Sequence, residues 1–202
     1  MKFIDRGFFY KVFEYSESRV LKKRRSLLDI LIYTKPKYLI QVFKQNNEAK
    51  KQTLIIKNKL SEIPGELFGN PFFVDKYNYT QDKVELLYHY FDKHTLEENK
   101  LIFDKYIDLV LELLKYCLHD YVYKFKNSYG VTNDGDVIFI DFNEIESSKE
   151  KTINLINSKL FFNEAQYTKF PPGELKDYIN KAFKEKITSG AVDRLWMVGV
   201  SN

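Results

Sequence analysis

Val137-Ile138-Phe139-Ile140-Asp141-Phe142-Asn143 sets an acid at the end of four consecutive apolar residues. Such a run reads as a buried strand, and a carboxylate at its end needs a cation, a metal or a capping role. The residues before it define a hairpin. Gly130-Val131 and Val137-Ile138-Phe139-Ile140 flank Asn133-Asp134-Gly135-Asp136, where Asp-Gly supplies the positive φ of a tight turn. No acid stands where a Ca²⁺ loop would need its distant bidentate ligand, so the turn accounts for these carboxylates.

Working outward, residues 96–118 form the strongest helical segment, with Glu97 and Glu98 in the first turn. Leu101, Ile107, Leu111 and Leu114 lie among apolar positions covering most of its circumference, which predicts a buried helix. The chain opens with β structure, residues 8–15 and 19–23 being aromatic and β-branched runs around the polar turn Ser16-Glu17-Ser18. Residues 26–60 change to Leu, Ile, Lys and Gln and predict two or three helices, with Pro36 in a first turn. Between residues 72 and 91, two strand-like runs flank Thr80-Gln81-Asp82-Lys83, which completes a small sheet of about four strands. Past the first helix, the alternation over residues 121–126 reads as a half-buried strand, residues 174–186 as a helix, and residues 190–202 as a mildly apolar tail.

Composition narrows the class. The chain has 202 residues, 44% hydrophobic and 30% charged, which is ordinary for a globular protein and excludes disorder, collagen and coiled-coil rods. The formal charge of +4 comes from 32 basic and 28 acidic residues spread along the chain, so nucleic acid is not a favoured partner. The fifteen Tyr and seventeen Phe are explained first by genome composition. Cys117 is the single cysteine, which excludes an intrachain disulfide and a Cys-based zinc site and fits a reducing compartment. No apolar run approaches the ~18 residues of a membrane span, and the first residues lack a signal-peptide core, so the expected location is cytoplasmic without a membrane partner. His89 and His94 have no metal-ligand partner in register and read as surface or packing residues.

The order of these pieces resembles the protein-kinase-like fold. Gly7-Phe8-Phe9-Tyr10-Lys11-Val12-Phe13 and Arg19-Val20-Leu21-Lys22 are similar to its G-x-F-G-x-V and V-A-I-K segments, and Asp141-Phe142-Asn143 to its D-F-G. The resemblance covers roughly residues 5–145. It implies an α+β fold of two lobes: an N-terminal nucleotide-binding lobe over 1–91 with a small antiparallel sheet, and a reduced helical C-terminal lobe over 92–202. It also implies ATP and Mg²⁺ as cofactors and transfer of the γ-phosphoryl group to a hydroxyl of a protein or a small molecule. On this reading Lys22 binds the phosphates, Gly7 lies in the phosphate loop, Asp141 and Asn127 hold Mg²⁺, and Asp120 is the base. Glu48, preferred over Glu62, is the helix acid that pairs with Lys22.

The chain departs from the pattern in several places. Asp5 and Tyr10 replace the outer glycines of the phosphate loop, Asn143 replaces the glycine of D-F-G, and Asp120 precedes Asn127 by seven residues where the motif has five. His119 adjoins Asp120 and reads as a structural residue of the loop. No A-P-E segment is recognisable, and about sixty residues follow Asn143. Each residue also has a plainer reading: Lys22 as one of the solvated run Lys22-Lys23-Arg24-Arg25, Asp141 as a strand-end cap, Asp120 as a helix terminus, and Asn127 as a turn cap. A chain that kept the fold and lost turnover is the alternative function.

Overall fold

The computed structural model describes residues 1–120, 128–158 and 173–196. The chain divides into two compact units, the first comprising Met1–Lys83 with Ile140–Asn143, the second the described residues of Val84–Phe139 and Glu144–Asn202. Residues 84–91, expected in the N-terminal lobe, thus belong to the second unit, and the short segment around Asp141 to the first.

The first unit is built on a five-stranded antiparallel sheet in the order β1-β2-β3-β5-β4. Its strands are β1 (Phe3–Arg6), β2 (Tyr10–Glu14), β3 (Arg19–Arg24), β4 (Phe72–Phe73) and β5 (Tyr79–Asp82). Polar residues 80–82 are strand, not the expected turn, because β5 is an inner strand whose polar side chains find partners. Gln81 donates to Phe68 O at 2.7 Å, and Arg19 joins Thr80 Oγ1 at 3.1 Å and Asp82 at 2.8 Å. Between β3 and β4 run α1 (Leu27–Leu31), a 3-10 turn (Pro36–Tyr38) and α2 (Leu39–Lys59). Ser26 caps α1 by accepting from Asp29 N at 3.0 Å. On α2 the buried positions are Val42, Asn46, Ala49, Thr53 and Ile56, a stripe of alternating four- and three-residue steps that turns one face inward.

In the second unit, β6 (Glu85–Leu86), β8 (Tyr129–Val131) and β9 (Val137–Phe139) form a three-stranded sheet, and β7 (His119–Asp120) pairs with β10 (Ile145–Glu146). The expected second hairpin is β8–β9, with Tyr129 opposite Phe139 and Gly135 at φ 78° in the turn. Residues 87–91, read as strand, fall in α3 (Leu87–Lys93). The long helix is α4 (Leu96–Lys115), started by a capping box between Thr95 and Glu98. It keeps one wet face, where Leu101 is exposed, and buries Phe103, Tyr106 and Val110. Around it lie α5 (Lys149–Asn157), α6 (Glu174–Lys186) and α7 (Ser189–Leu195). Phe183 of α6 meets Phe103 at 5.6 Å and Tyr106 at 5.9 Å, and Tyr106 meets Tyr129 edge-on at 4.6 Å. Residues 121–126 fall outside the described residues. Among those described, no helix is long and apolar enough to cross a membrane.

Gly130 tests the packing of the three-stranded sheet. A Cβ there would lie 2.1 Å from Val84 Cγ2 and 3.1 Å from the carbonyl oxygen of Glu85, which β-sheet pairing holds in place. Gly130→Ala is expected to destabilise the chain by about 1–3 kcal/mol, read as a lower denaturation midpoint with unchanged m-value.

Candidate functional site

Strand alternation decides which cations of the basic run turn inward. Val12 and Tyr79 are the cross-strand neighbours of Lys22. With a period of two, Lys22 and Arg24 share the inner face and Lys23 takes the outer one. Lys23 is exposed, its ammonium 5.5 Å from the Phe13 ring. The Lys22 ammonium donates to the carbonyl oxygen of Ile140 at 2.5 Å and lies 5.8 Å from the centre of the Tyr79 ring. Burial pushes its pKa down to about 8, opposed in part by the charge of Asp141.

Asp141 Oδ1 accepts from the backbone N of Asn143 at 3.2 Å and from its Nδ2 at 2.6 Å. Asn143 is in turn fixed from behind, its Oδ1 accepting from Arg24 Nη1 at 3.1 Å. The other arm of that guanidinium donates to Asn46 on α2, to Oδ1 at 2.8 Å and to the carbonyl oxygen at 3.1 Å. Thr53, also on the inner face of α2, stands 3.3 Å from the Tyr10 hydroxyl, which donates to Tyr77 O at 3.1 Å. Burial raises the Tyr10 pKa. Phe142 stacks on Tyr79 at 4.6 Å and meets Phe68 edge-on at 5.6 Å, so the residue between Asp141 and Asn143 is anchored by rings.

The arrangement joins a buried cation, a carboxylate and a polar brace in one unit. Chemically it suits an anion that shares a divalent cation with the protein. Asp141 offers hard oxygen, and Mg²⁺ is commonly held by one or two carboxylates plus phosphate oxygens, so a single protein carboxylate fits that ion. No cluster of three His, Cys, Asp or Glu residues suited to an all-protein metal cage occurs among the described residues.

The other expected site residues are placed as follows. Glu48 is exposed, off the inner stripe of α2, and pairs with Lys51 at 3.6 Å. Among the described residues no hydrogen bond or ion pair joins it to Lys22, and Asn46, one half-turn away, holds the inward position. Glu62 is exposed just past α2. Gly7 closes the β1–β2 turn by donating to Tyr10 O at 2.9 Å, and a Cβ there would meet only that oxygen at 3.5 Å. Asp5 is exposed and accepts from Arg6 N at 2.7 Å. In the second unit, His119 and Asp120 are fully buried in β7. Asp120 Oδ2 accepts from the Tyr129 hydroxyl at 2.6 Å, and desolvation drives the His119 pKa down to about 3, leaving a neutral imidazole. Asn127 lies outside the described residues. Arg24, Asn46 and Tyr79 were not singled out by sequence reading. Arg24 was within its reach, because it stands two residues from Lys22 on a strand.

No family model and no curated protein matches the sequence. Among solved structures, monomeric WbdD is similar with a TM-score of 0.53 at 15% identity, over 96% of this chain and 45% of that one. WbdD in complex with the kinase inhibitor LY294002 gives a TM-score of 0.50 at 13% identity, over 92% and 45%. A further WbdD structure, titled as the bifunctional kinase-methyltransferase, gives 0.48 at 14% identity, over 95% and 47%. The chain therefore spans less than half the length of these proteins. At such identity the likeness speaks for architecture alone: the chain has a mixed α+β fold, a small antiparallel sheet with several helices, distantly similar to that of WbdD.

Proposed function

We propose that the chain is an ATP- and Mg²⁺-dependent phosphotransferase acting on a hydroxyl of a protein or a small molecule. The observation that carries this reading is the placement of Lys22 in the first unit, a desolvated cation bonded to the Ile140 carbonyl and within the field of the Asp141 carboxylate. Lys22 would bind the phosphate oxygens, and Asp141, with Asn127, would hold the metal. The Mg²⁺ nucleotide supplies the γ-phosphoryl group and the charge neutralisation for its transfer. Asp120 accepts the proton of the attacking hydroxyl as the new P–O bond forms and ADP departs. The alternative, a binding module with little turnover, draws on one observation: the Asp120 carboxylate is buried and engaged by Tyr129.

Saturating Mg-ATP is expected to stabilise the wild-type chain by ~2.7 kcal/mol at a hundredfold excess over Kd. Lys22→Met and Asp141→Ala should each remove most of that thermal shift, and Lys23→Met should keep it. Full shifts in the Asp141 variant would take this residue out of the metal site. Mass spectrometry of chain and candidate acceptors after incubation with Mg-ATP reads transfer, which Asp120→Asn should reduce by ~10²-fold while nucleotide binding persists.

Titration gives a second test. Lys22 binds phosphate as a cation, so nucleotide affinity should fall as pH rises through about 8, and the fall should vanish in Lys22→Met. Without nucleotide the sign for folding is opposite. Between about 8 and the ordinary 10.5 the unfolded chain holds more protons on this lysine, so the burial cost is felt in full below 8 and is relieved as pH rises through that window.

Asn143 occupies the glycine position of D-F-G, and restoring glycine tests whether it braces the site. Asn143→Gly is expected to cost about 1–3 kcal/mol of stability, because Arg24 loses a half-buried acceptor, and to weaken the Mg²⁺ dependence of nucleotide binding. A variant as stable as wild type with an unchanged Mg²⁺ midpoint would show that Asn143 is not a brace.

A further inference from the structure

Part of the first unit presents more apolar surface than its fold uses. Leu28 and Ile32, one turn apart at α1, are 74% and 76% exposed, and Ile40 in the first turn of α2 is 76% exposed. Tyr33 and Phe43 stand exposed beside them. These side chains are not spare core, because Ile30 and Val42 already fill the inward positions of the same helices. Large apolar side chains exposed together on successive helices mark a contact with a partner or a lipid surface.

The patch is held rigidly. The buried Arg25 guanidinium donates to Asp29 Oδ2 at 3.1 Å, to Asp29 O at 2.7 Å and to Phe8 O at 2.9 Å, which ties α1 to the β1–β2 turn. Arg6 lies 4.0 Å from the centre of the Tyr33 ring. The backbone at Phe8 is thus tied to α1, and the Phe8 side chain is itself exposed.

Charge selects the occupant. Lys35, Lys37 and Lys44 are exposed around the patch, and Asp29 is the one acid between residues 26 and 44. That acid is engaged by Lys11 at 2.9 Å, Arg25 at 3.1 Å and Arg6 at 3.5 Å, so the rim is left net positive. A second copy docked about a two-fold axis would set this cationic rim against itself. Aliphatic side chains flanked by Tyr and ringed by Lys match the chemistry of a bilayer interface, where stems and rings bury at the acyl boundary and ammonium groups meet lipid phosphates. We propose that the face formed by α1, the first turns of α2 and Phe8 docks on an anionic lipid surface. The contact lies on the surface and requires no spanning helix, and it stands independently of the phosphotransferase reading.

Co-sedimentation with vesicles tests it, using phosphatidylcholine alone and phosphatidylcholine with about one third phosphatidylglycerol. The wild-type chain is expected to sediment with the anionic vesicles, less so as salt rises. Ile32→Asp combined with Ile40→Asp should lower the partition coefficient by at least about tenfold. The triple change of Lys35, Lys37 and Lys44 to Glu should abolish the preference for phosphatidylglycerol. All these positions are exposed, and equal melting temperatures of wild type and variants verify folding. Absence of wild-type binding to either vesicle, or equal partition of wild type and the Ile variant, overturns the proposal. Concentration-dependent dimerisation by light scattering that the Ile variant abolishes would overturn it in favour of a second copy.

Discussion

Burying the Lys22 ammonium against the carbonyl of Ile140 constrains most of what surrounds it in the first unit. A cation removed from water needs a fixed acceptor and a nearby negative charge, or it titrates to neutrality. Both requirements fall on the segment Ile140–Asp141, which must therefore pack with the five-stranded sheet although it follows β9 of the second unit in the chain. Phe142 secures that placement by stacking on Tyr79. Desolvation pushes the Lys22 pKa down, and the field of Asp141 offsets only part of that effect.

The brace behind Asp141 is made differently from the one the kinase resemblance implies. A helix glutamate paired with Lys22 would fix the helix to the strand by opposite charges. Here α2 turns Asn46 inward, and the cation that meets it is Arg24. A planar guanidinium can serve two amide oxygens at once, on Asn46 and on Asn143, which a lysine ammonium on a flexible stem would do with less geometric control. The Asn143 amide receives from Arg24 and donates to Asp141, so the helix contact through Asn46 and the support of Asp141 are two parts of one network.

The features legible in the sequence were those set by local chemistry. The Asn133–Asp136 turn, the helix α4 and the strand carrying Lys22 follow from turn residues, period and first-turn acids within a few positions of each other. Features set by partners distant in the chain were misread. Thr80, Gln81 and Asp82 look like a turn, yet Arg19 and the Phe68 carbonyl satisfy them inside an inner strand. Glu48 looked like the acid of the best helix, but which face of α2 turns inward is settled by Val42, Ala49 and Ile56 taken together, and Glu48 lies off that stripe. Asp141 was legible for the opposite reason: an acid that ends an apolar run announces that something else must compensate it.

Asp120 raises the same question in the second unit, with a different answer. There the compensation comes from a neutral donor, the Tyr129 hydroxyl, and the adjoining His119 is held neutral by burial. A carboxylate that accepts a 2.6 Å bond from a phenol on one oxygen is a weaker base, because that bond stabilises its charged form. On the proposed reading nucleotide affinity depends on Lys22 and Asp141, whereas turnover depends also on the chemistry around Asp120. Selection acting on binding would preserve the Lys22–Asp141 pair and leave Asp120 free to become a core residue. Selection acting on transfer would have to keep the Asp120 carboxylate within reach of a substrate hydroxyl, and its burial is therefore where an enzyme and a binding module built on this fold part company.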